Sequence, residues 1–566
     1  MDYTRTALIA ALAIVSYMLL LAWNEDYPGT PQTAAPVETA STTTIPDGAD
    51  LPDAPAEIPA SSTTEDLPQV SQNNTATQAP QIPDDRLITI TTPVQVVTID
   101  LVGGDIVELA LPAYPVSLDT PDDPFVLLHN NGGVYVAQSG LIGNDGPDAS
   151  PSGRPRYQSP QNSYSLAENG ETLTVDLQYR DENNVNISKR FTFREDDYLI
   201  DVSYIIENQG QSPWSANQFG QLKRDGSPDP SSVGGFGVNT YLGAALTTAD
   251  DPYKKVDFGD IEDGGTRDEV QGGWIAFSQH YFLGSWIPGS DQTHTYTTRL
   301  NNNGEYIMGF VSPAITVTPG SSETLQASFW AGPKDQYRLE EIAPNMGLTI
   351  DYGWLWFIAY PIFWLLTQIN DLIGNFGWSI VVLTIVIKLL LYRLSASSYR
   401  SMAKMRQLGP KITELKERHG DDKQKFMQAQ MELWKKEKVN PMGGCLPMLL
   451  QMPIFIGIYW VLNESVELRH ATWIFWYNDL SVMDPYFVLP LIMGLSMYIS
   501  QQLTAMPMAD PMQAKVMKFM PVVFTVFFLW FPAGLVLYWL VNNVFTIFQQ
   551  WYITRNLEKS SKARAS

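Results

Sequence analysis

The sequence predicts a multidomain membrane protein: a helical membrane bundle, a large exported all-β domain and a cytoplasmic helical hairpin. Three observations predict it. Charge is segregated, because residues 24–351 hold 15 Lys/Arg against 46 Asp/Glu in a 566-residue chain of net charge −24. The stretches 441–463, 485–509 and 519–554 contain no charged side chain. Between residues 86 and 340 apolar residues alternate with polar ones in short runs broken by Gly, Asn and Pro, the pattern of half-buried strands. An acidic block beside basic loops and uncharged runs marks a chain that crosses a membrane.

The same inventory excludes several functions. Cys445 is the single cysteine, so an intrachain disulfide and a Cys-based metal cluster are ruled out. Neither G-x-x-x-x-G-K-[ST] nor H-E-x-x-H occurs, which removes a P-loop nucleotide site and a zincin. The acidic balance argues against nucleic acid as the main partner. No cofactor, metal or nucleotide is expected, and no enzyme.

The elements follow in chain order. Residues 1–23 read as an uncleaved signal anchor with its span near 6–22, since Leu21-Ala22-Trp23 is a poor cleavage site. Residues 24–85, with ten prolines and eleven acids, read as a disordered linker. Residues 86–340 read as an antiparallel β-sandwich, with strands at 87–92, 94–99, 172–177 and 191–193. His129-Asn130-Asn131-Gly132-Gly133 and Gly272-Gly273-Trp274 look site-like but are read as turns. Residues 341–375, with Trp354, Trp356, Tyr360 and Trp364 around Pro361, suit an amphipathic helix lying at the membrane interface.

Spans are expected near 376–392, 443–462, 486–503, 516–531 and 535–552, a five-helix core in addition to the anchor. The run 519–554 is 36 residues long, about 54 Å as one helix, so Phe531-Pro532-Ala533-Gly534 is read as a hairpin turn. Residues 393–440 carry twelve basic and six acidic side chains and so belong in the cytoplasm. Their apolar stripes, Met405, Leu408, Ile412 and Leu415, then Met427, Met431 and Trp434, predict two antiparallel helices. The tail 553–566 is basic. Both chain ends are placed in the cytoplasm and the β domain outside.

Lys388 is the basic residue set well inside a late span. A charge at membrane depth is costly and marks function, although a lysine there can also snorkel to the head groups. Thr384, Lys388, Tyr392 and Ser395 share one helical face. Gln451 and Tyr459, Ser496 and Ser500, Thr525, and Asn542, Asn543, Thr546, Gln549 and Gln550 add polar positions on other spans. Each can bond a neighbouring helix; with a buried cation they can line a wet cavity. Met residues of the hairpin suit adaptable contact with varied apolar partners or a plain core.

Long motifs carry a resemblance. Ser401-Met402-Ala403-Lys404-Met405-Arg406, Val439-Asn440-Pro441-Met442-Gly443-Gly444-Cys445-Leu446-Pro447, Gln451-Met452-Pro453-Ile454-Phe455, Ser465-Val466-Glu467-Leu468-Arg469 and Asp510-Pro511-Met512-Gln513 resemble the YidC/Oxa/Alb family of membrane protein insertases, in its Gram-negative form. The resemblance implies a periplasmic β-supersandwich without catalysis and an inner-membrane insertase core. It implies a hydrophilic, lipid-open groove around Lys388, where the family usually has arginine, with Thr384 and Trp539 lining it, the latter usually tyrosine. It implies that substrate helices slide past Met452, Pro453, Phe455 and Phe527; from the residues themselves, Met402, Met405, Met427 and Met431 of the hairpin are expected to contact substrate. The implied partners are nascent integral membrane proteins, the Sec translocon, the translating ribosome and lipids, with ribosomal RNA contact by the basic tail. The residues leave two other readings open: a solute transporter using the same cavity, and a membrane-anchored carbohydrate-active enzyme with its chemistry in 86–340.

Overall fold

The structure, a computed structural model, describes residues 86–565 except 151–152, 168–169, 232–239, 420–421, 438–445 and 505–510. The expected signal anchor and linker lie outside the described residues.

Strands between Leu87 and Pro333 form two sheets, one of eleven strands and one of eight among the described residues. Pairing there is antiparallel apart from Leu87–Thr91 with Ser163–Ser165, which run parallel. The alternation in Val185–Arg194 and Leu199–Asn208 is that of strands with one buried face. Ile187, Phe191, Val202 and Tyr204 on that face share one core with Ile90, Val97, Leu109 and Leu222 of the other sheet. Asp181 shapes a local turn after Thr172–Arg180 by accepting from the amides of Asn183 and Val185, and Asn184 takes φ +67°. The strand expected at 94–99 is Val96–Asp100, because Thr92 and Gln95 close a turn around Pro93. The site-like glycines are turns: Gly132, Gly272 and Gly273 take φ of +76°, +62° and +83°.

The helix expected over 341–375 is split: 341–342 end the short helix Gln336–Ile342, and a long helix begins only at Trp356, after 3-10 turns at Met346–Thr349 and Gly353–Leu355. From there the helices are α1 (Trp356–Ile373), α2 (Phe376–Leu390), α3 (Tyr392–Gln407), α4 (Gly409–His419), α5 (Lys423–Lys436), α6 (Leu446–Glu464), α7 (Val488–Thr504), α8 (Pro511–Phe527) and α9 (Ala533–Ala565). Helix α1 buries Ala359, Ile362, Phe363 and Leu366 and turns Trp356 and Trp364 outward, and Trp354 in the 3-10 turn before it is 72% exposed. Among the described residues no single helix is long and apolar enough to cross a membrane; α2 and α3, bent by 68°, meet that measure only as a pair. The bend overturns the expectation of one straight face from Thr384 to Ser395.

The expected turn at 531–534 is present and is held from outside. Ala533 and Gly534 donate their amides to the carbonyls of Val482 and Leu480. That loop is organised by Asp484, which is fully buried and accepts from the amides of Tyr486 (3.0 Å) and Leu489 (2.8 Å), from Trp476 Nε1 (3.2 Å) and from the Tyr477 hydroxyl (3.3 Å). Helices α7 and α8 cross at Gly494. A Cβ there would strike Thr525 Oγ1 and lie 3.0 Å from its Cβ and Cγ2. Gly494→Ala is therefore expected to lower stability by about 1–3 kcal/mol, the cost of overpacking, and Thr525→Ala in the same chain is expected to restore most of it. Thermal unfolding in detergent measures both.

The hairpin core is Met405, Leu408, Ile412 and Phe426, with Leu415, Leu433 and Trp434 packed on it. Phe426 takes the place expected for Met427 and Met431, which remain exposed. Met402 packs with Ala396, Tyr399 and Ile553 of α9.

Side chains also join the β domain to the bundle. His280 Nε2 donates to the Asn463 carbonyl in the last turn of α6 at 2.8 Å, and its Nδ1 is buried without a partner among the described residues. Arg469 donates to the Pro115 carbonyl at 2.7 Å and lies over the rings of Phe125 and Phe282. Burial, with Lys334 close by, holds the His280 pKa down to about 4 against its usual 6.5. An unfolded chain takes this proton near pH 6.5 and the folded one resists it. The stability His280 contributes is thus full above about pH 6.5 and is lost as pH falls toward 4, on the order of 3 kcal/mol in all. His280→Gln is expected to flatten that loss between about pH 7 and about pH 5, measured as the difference in unfolding midpoint from the parent chain.

Candidate functional site

Helix α2 is apolar except for the side it turns inward, where Ser379, Thr384 and Lys388 are buried. Lys388 is 4% exposed. Its Nζ donates to Thr546 Oγ1 of α9 at 2.9 Å and to Gln451 Oε1 of α6 at 3.4 Å. It does not snorkel, and among the described residues no carboxylate pairs with it. Gln451 Nε2 in turn donates to Asn542 Oδ1, so one network ties α2, α6 and α9 together. The Tyr538 hydroxyl reaches Gln451 and the Tyr399 hydroxyl reaches Thr546. Asn543 Nδ2 donates to Ser496 Oγ of α7 at 3.2 Å, a second polar contact on the adjoining side of α9.

The other expected groove residues divide. Thr384 is buried one turn before Lys388, with its hydroxyl turned back onto the Ile380 carbonyl at 2.7 Å. Trp539 packs edge-on to Phe455 at 4.6 Å and against Phe528 at 5.1 Å, and its Nε1 is buried without a partner among the described residues. Ser500 is half-buried one turn beyond Ser496. Thr525 bonds the Pro521 carbonyl at 2.6 Å and faces Gly494, so it belongs to the α7–α8 crossing and not to the Lys388 network.

Of the expected slide, Met452 and Phe527 are exposed, while Pro453 and Phe455 are half-buried. Of the hairpin methionines, Met427 and Met431 are exposed. Met402 and Met405 are buried in packing clusters, so this conformation does not present them. Sequence reading passed over Tyr399 and Tyr538. Tyr538 stands one turn before Asn542 on the same face and was findable by spacing; Tyr399 lies beyond the bend and had no local signal.

The bundle is inverted relative to a water-soluble protein. Its interior holds Lys388, Gln451, Asn543, Ser496 and Thr384. Its outer surface carries Leu491, Leu495, Phe519, Val522, Val523, Val526 and Phe548, all exposed. Hydrocarbon is the solvent that such a surface fits.

Comparison with known proteins agrees with this arrangement. Residues 87–365 match the family described as YidC periplasmic domain, and residues 368–561 match that described as 60Kd inner membrane protein. The chain is 54% identical to the membrane protein insertase YidC of Pseudomonas putida over the full length of both. It is 54% identical to that of Stutzerimonas stutzeri over 99% of this chain and all of the other. A crystal structure of an active YidC insertase with its first transmembrane domain resolved is 18% identical, covering 83% of this chain and 93% of that one at a TM-score of 0.38. The β-sheet domain is therefore periplasmic, the helical domain lies in the inner membrane, and the solute-transporter and carbohydrate-enzyme readings fall away. The chain belongs to the YidC family of membrane protein insertases, in its Gram-negative form with a periplasmic domain, and is not an enzyme.

Proposed function

We propose that the Lys388 network is a hydrophilic groove that takes the polar flank of a newly made membrane protein partway into the bilayer. One observation carries this: a buried ammonium held, among the described residues, only by neutral oxygens, inside a bundle whose outer face is apolar. Lys388 bound to Thr546 and Gln451 is under-compensated, and an acidic flank offers it charge-assisted hydrogen bonds, roughly twice as strong as neutral ones. In hydrocarbon each unsatisfied backbone group of that flank would cost several kcal/mol. Gln451, Asn542 and Thr546 supply partners that lower this cost. The apolar part of the substrate leaves along Met452, Pro453, Phe455 and Phe527 into lipid. Apolar transfer drives the step, with about 2.3 kcal/mol per charge per 100 mV from the membrane potential.

The topology that fits has six spans with both ends in the cytoplasm. The first lies outside the described residues. The 15 residues of α2 reach about 22 Å, short of a hydrocarbon core of about 30 Å, so the bilayer is thinned around it. The hairpin, through Met427 and Met431, and the basic tail meet the nascent chain and the ribosome, with ribosomal RNA as an electrostatic partner of the tail. The family resemblance supports the Sec translocon as a further partner. The test is photocrosslinking from Met452 and Phe527 to a ribosome-bound nascent chain. Adducts from both are expected, and their absence from both overturns the groove.

A further inference from the structure

Gln549 lies on the face of α9 that carries Tyr538, Asn542 and Thr546, at spacings of four, four and three. It is one turn past Thr546, about 4.5 Å along the axis, and one turn before Ile553, which packs on α3. This is where the Lys388 network ends and the hairpin begins. Gln549 is 3% exposed, and both its amide atoms, Nε2 and Oε1, are buried without a hydrogen-bond partner among the described residues. Its neighbours on this face are all bonded: Tyr538 to Gln451, Asn542 to Gln451, and Thr546 to Lys388 and to the Asn542 carbonyl.

A buried carboxamide lacking both donor and acceptor contacts is costly, and in a native protein it needs an explanation. A leucine would fill the same space without that cost. The amide offers one donor face and one acceptor side by side. That is the complement of a single peptide group, whose N–H and C=O need partners wherever a chain is not yet helical. We propose that Gln549 is a further substrate-binding residue, which takes one backbone peptide group of the inserting chain in a paired amide–amide contact at the cytoplasmic side of the groove. Because it reads backbone, it acts on substrates whatever the charge of their flank, and so complements Lys388. This rests on the groove reading above.

The test uses the full chain with Gln549→Leu and Gln549→Met, and a photoreactive residue at position 549 beside one at Phe527. Both apolar variants are expected to unfold at the same or a higher temperature than the parent chain. They are expected to insert both neutral-flank and acidic-flank substrates about three- to tenfold less well, as the loss of one or two hydrogen bonds gives. The probe at 549 is expected to crosslink the nascent chain. Parental insertion by both variants, or adducts from 527 without any from 549, overturns the role of Gln549 and leaves the groove standing. Absence of adducts from both positions overturns the groove and Gln549 together.

Discussion

Lys388→Ala and Lys388→Met are expected to reduce insertion of substrates with acidic flanks by about tenfold or more, while Lys388→Arg stays within about threefold of the parent chain. A carboxylate about 4 Å from the ammonium gains about 4 kcal/mol at the effective dielectric of a partly buried site, and a third of that is already about tenfold. Arginine keeps the charge and finds acceptors in Gln451 Oε1 and Thr546 Oγ1, the oxygens that now hold Lys388. The methionine variant separates mechanism from folding. Replacing a buried charge by an apolar side chain of similar length is often neutral or stabilising, so its unfolding temperature is expected to hold while insertion falls. Insertion in cells depleted of their own insertase, with neutral-flank substrates as the control, measures the effect. Equal loss for neutral and acidic flanks would assign Lys388 a structural role.

Asp484→Ala is expected to give the largest loss of stability, about 3 kcal/mol or more, since it strands two backbone amides, an indole and a phenol in a dry site. The loop it organises also holds the α8–α9 turn through Val482 and Leu480, so the damage should spread to the hairpin of spans. Asp484→Asn keeps one acceptor oxygen and is expected to recover about half of the loss. Thermal unfolding in detergent, with protease sensitivity near Pro532, follows both variants.

What was legible in the sequence divides by range. Alternation in Val185–Arg194, the uncharged runs behind α6 to α9 and the Pro532–Gly534 turn are local signals, and the structure follows them. Lys388 was legible because a charge in an apolar helix is anomalous wherever the helix packs. Its partners were not: Gln451 is 63 residues away and Thr546 is 158, and nothing local chooses between them and the other polar positions. Thr525 shows the same limit, being equally polar in sequence but placed against Gly494 by the α7–α8 crossing. The 68° bend after Leu390 has no Pro or Gly to announce it; tertiary packing of α3 on α9 sets it, and with it the burial of Met402. Phe475 and Phe487 adopt φ of +57°, which their side chains do not favour and which the loop around Asp484 imposes.

The most direct measurement is thiol accessibility. Cys445 is the chain's single cysteine, so Cys445→Ser gives a clean background for Asn542→Cys and Thr546→Cys, with Val523→Cys on the apolar outer face as the comparison. A wet groove open to the cytoplasm requires a membrane-impermeant maleimide to label positions 542 and 546 in inside-out vesicles, to leave them unlabelled in right-side-out vesicles, and to spare 523 in both. No labelling at 542 and 546 from either side would describe a dry bundle and contradict the account.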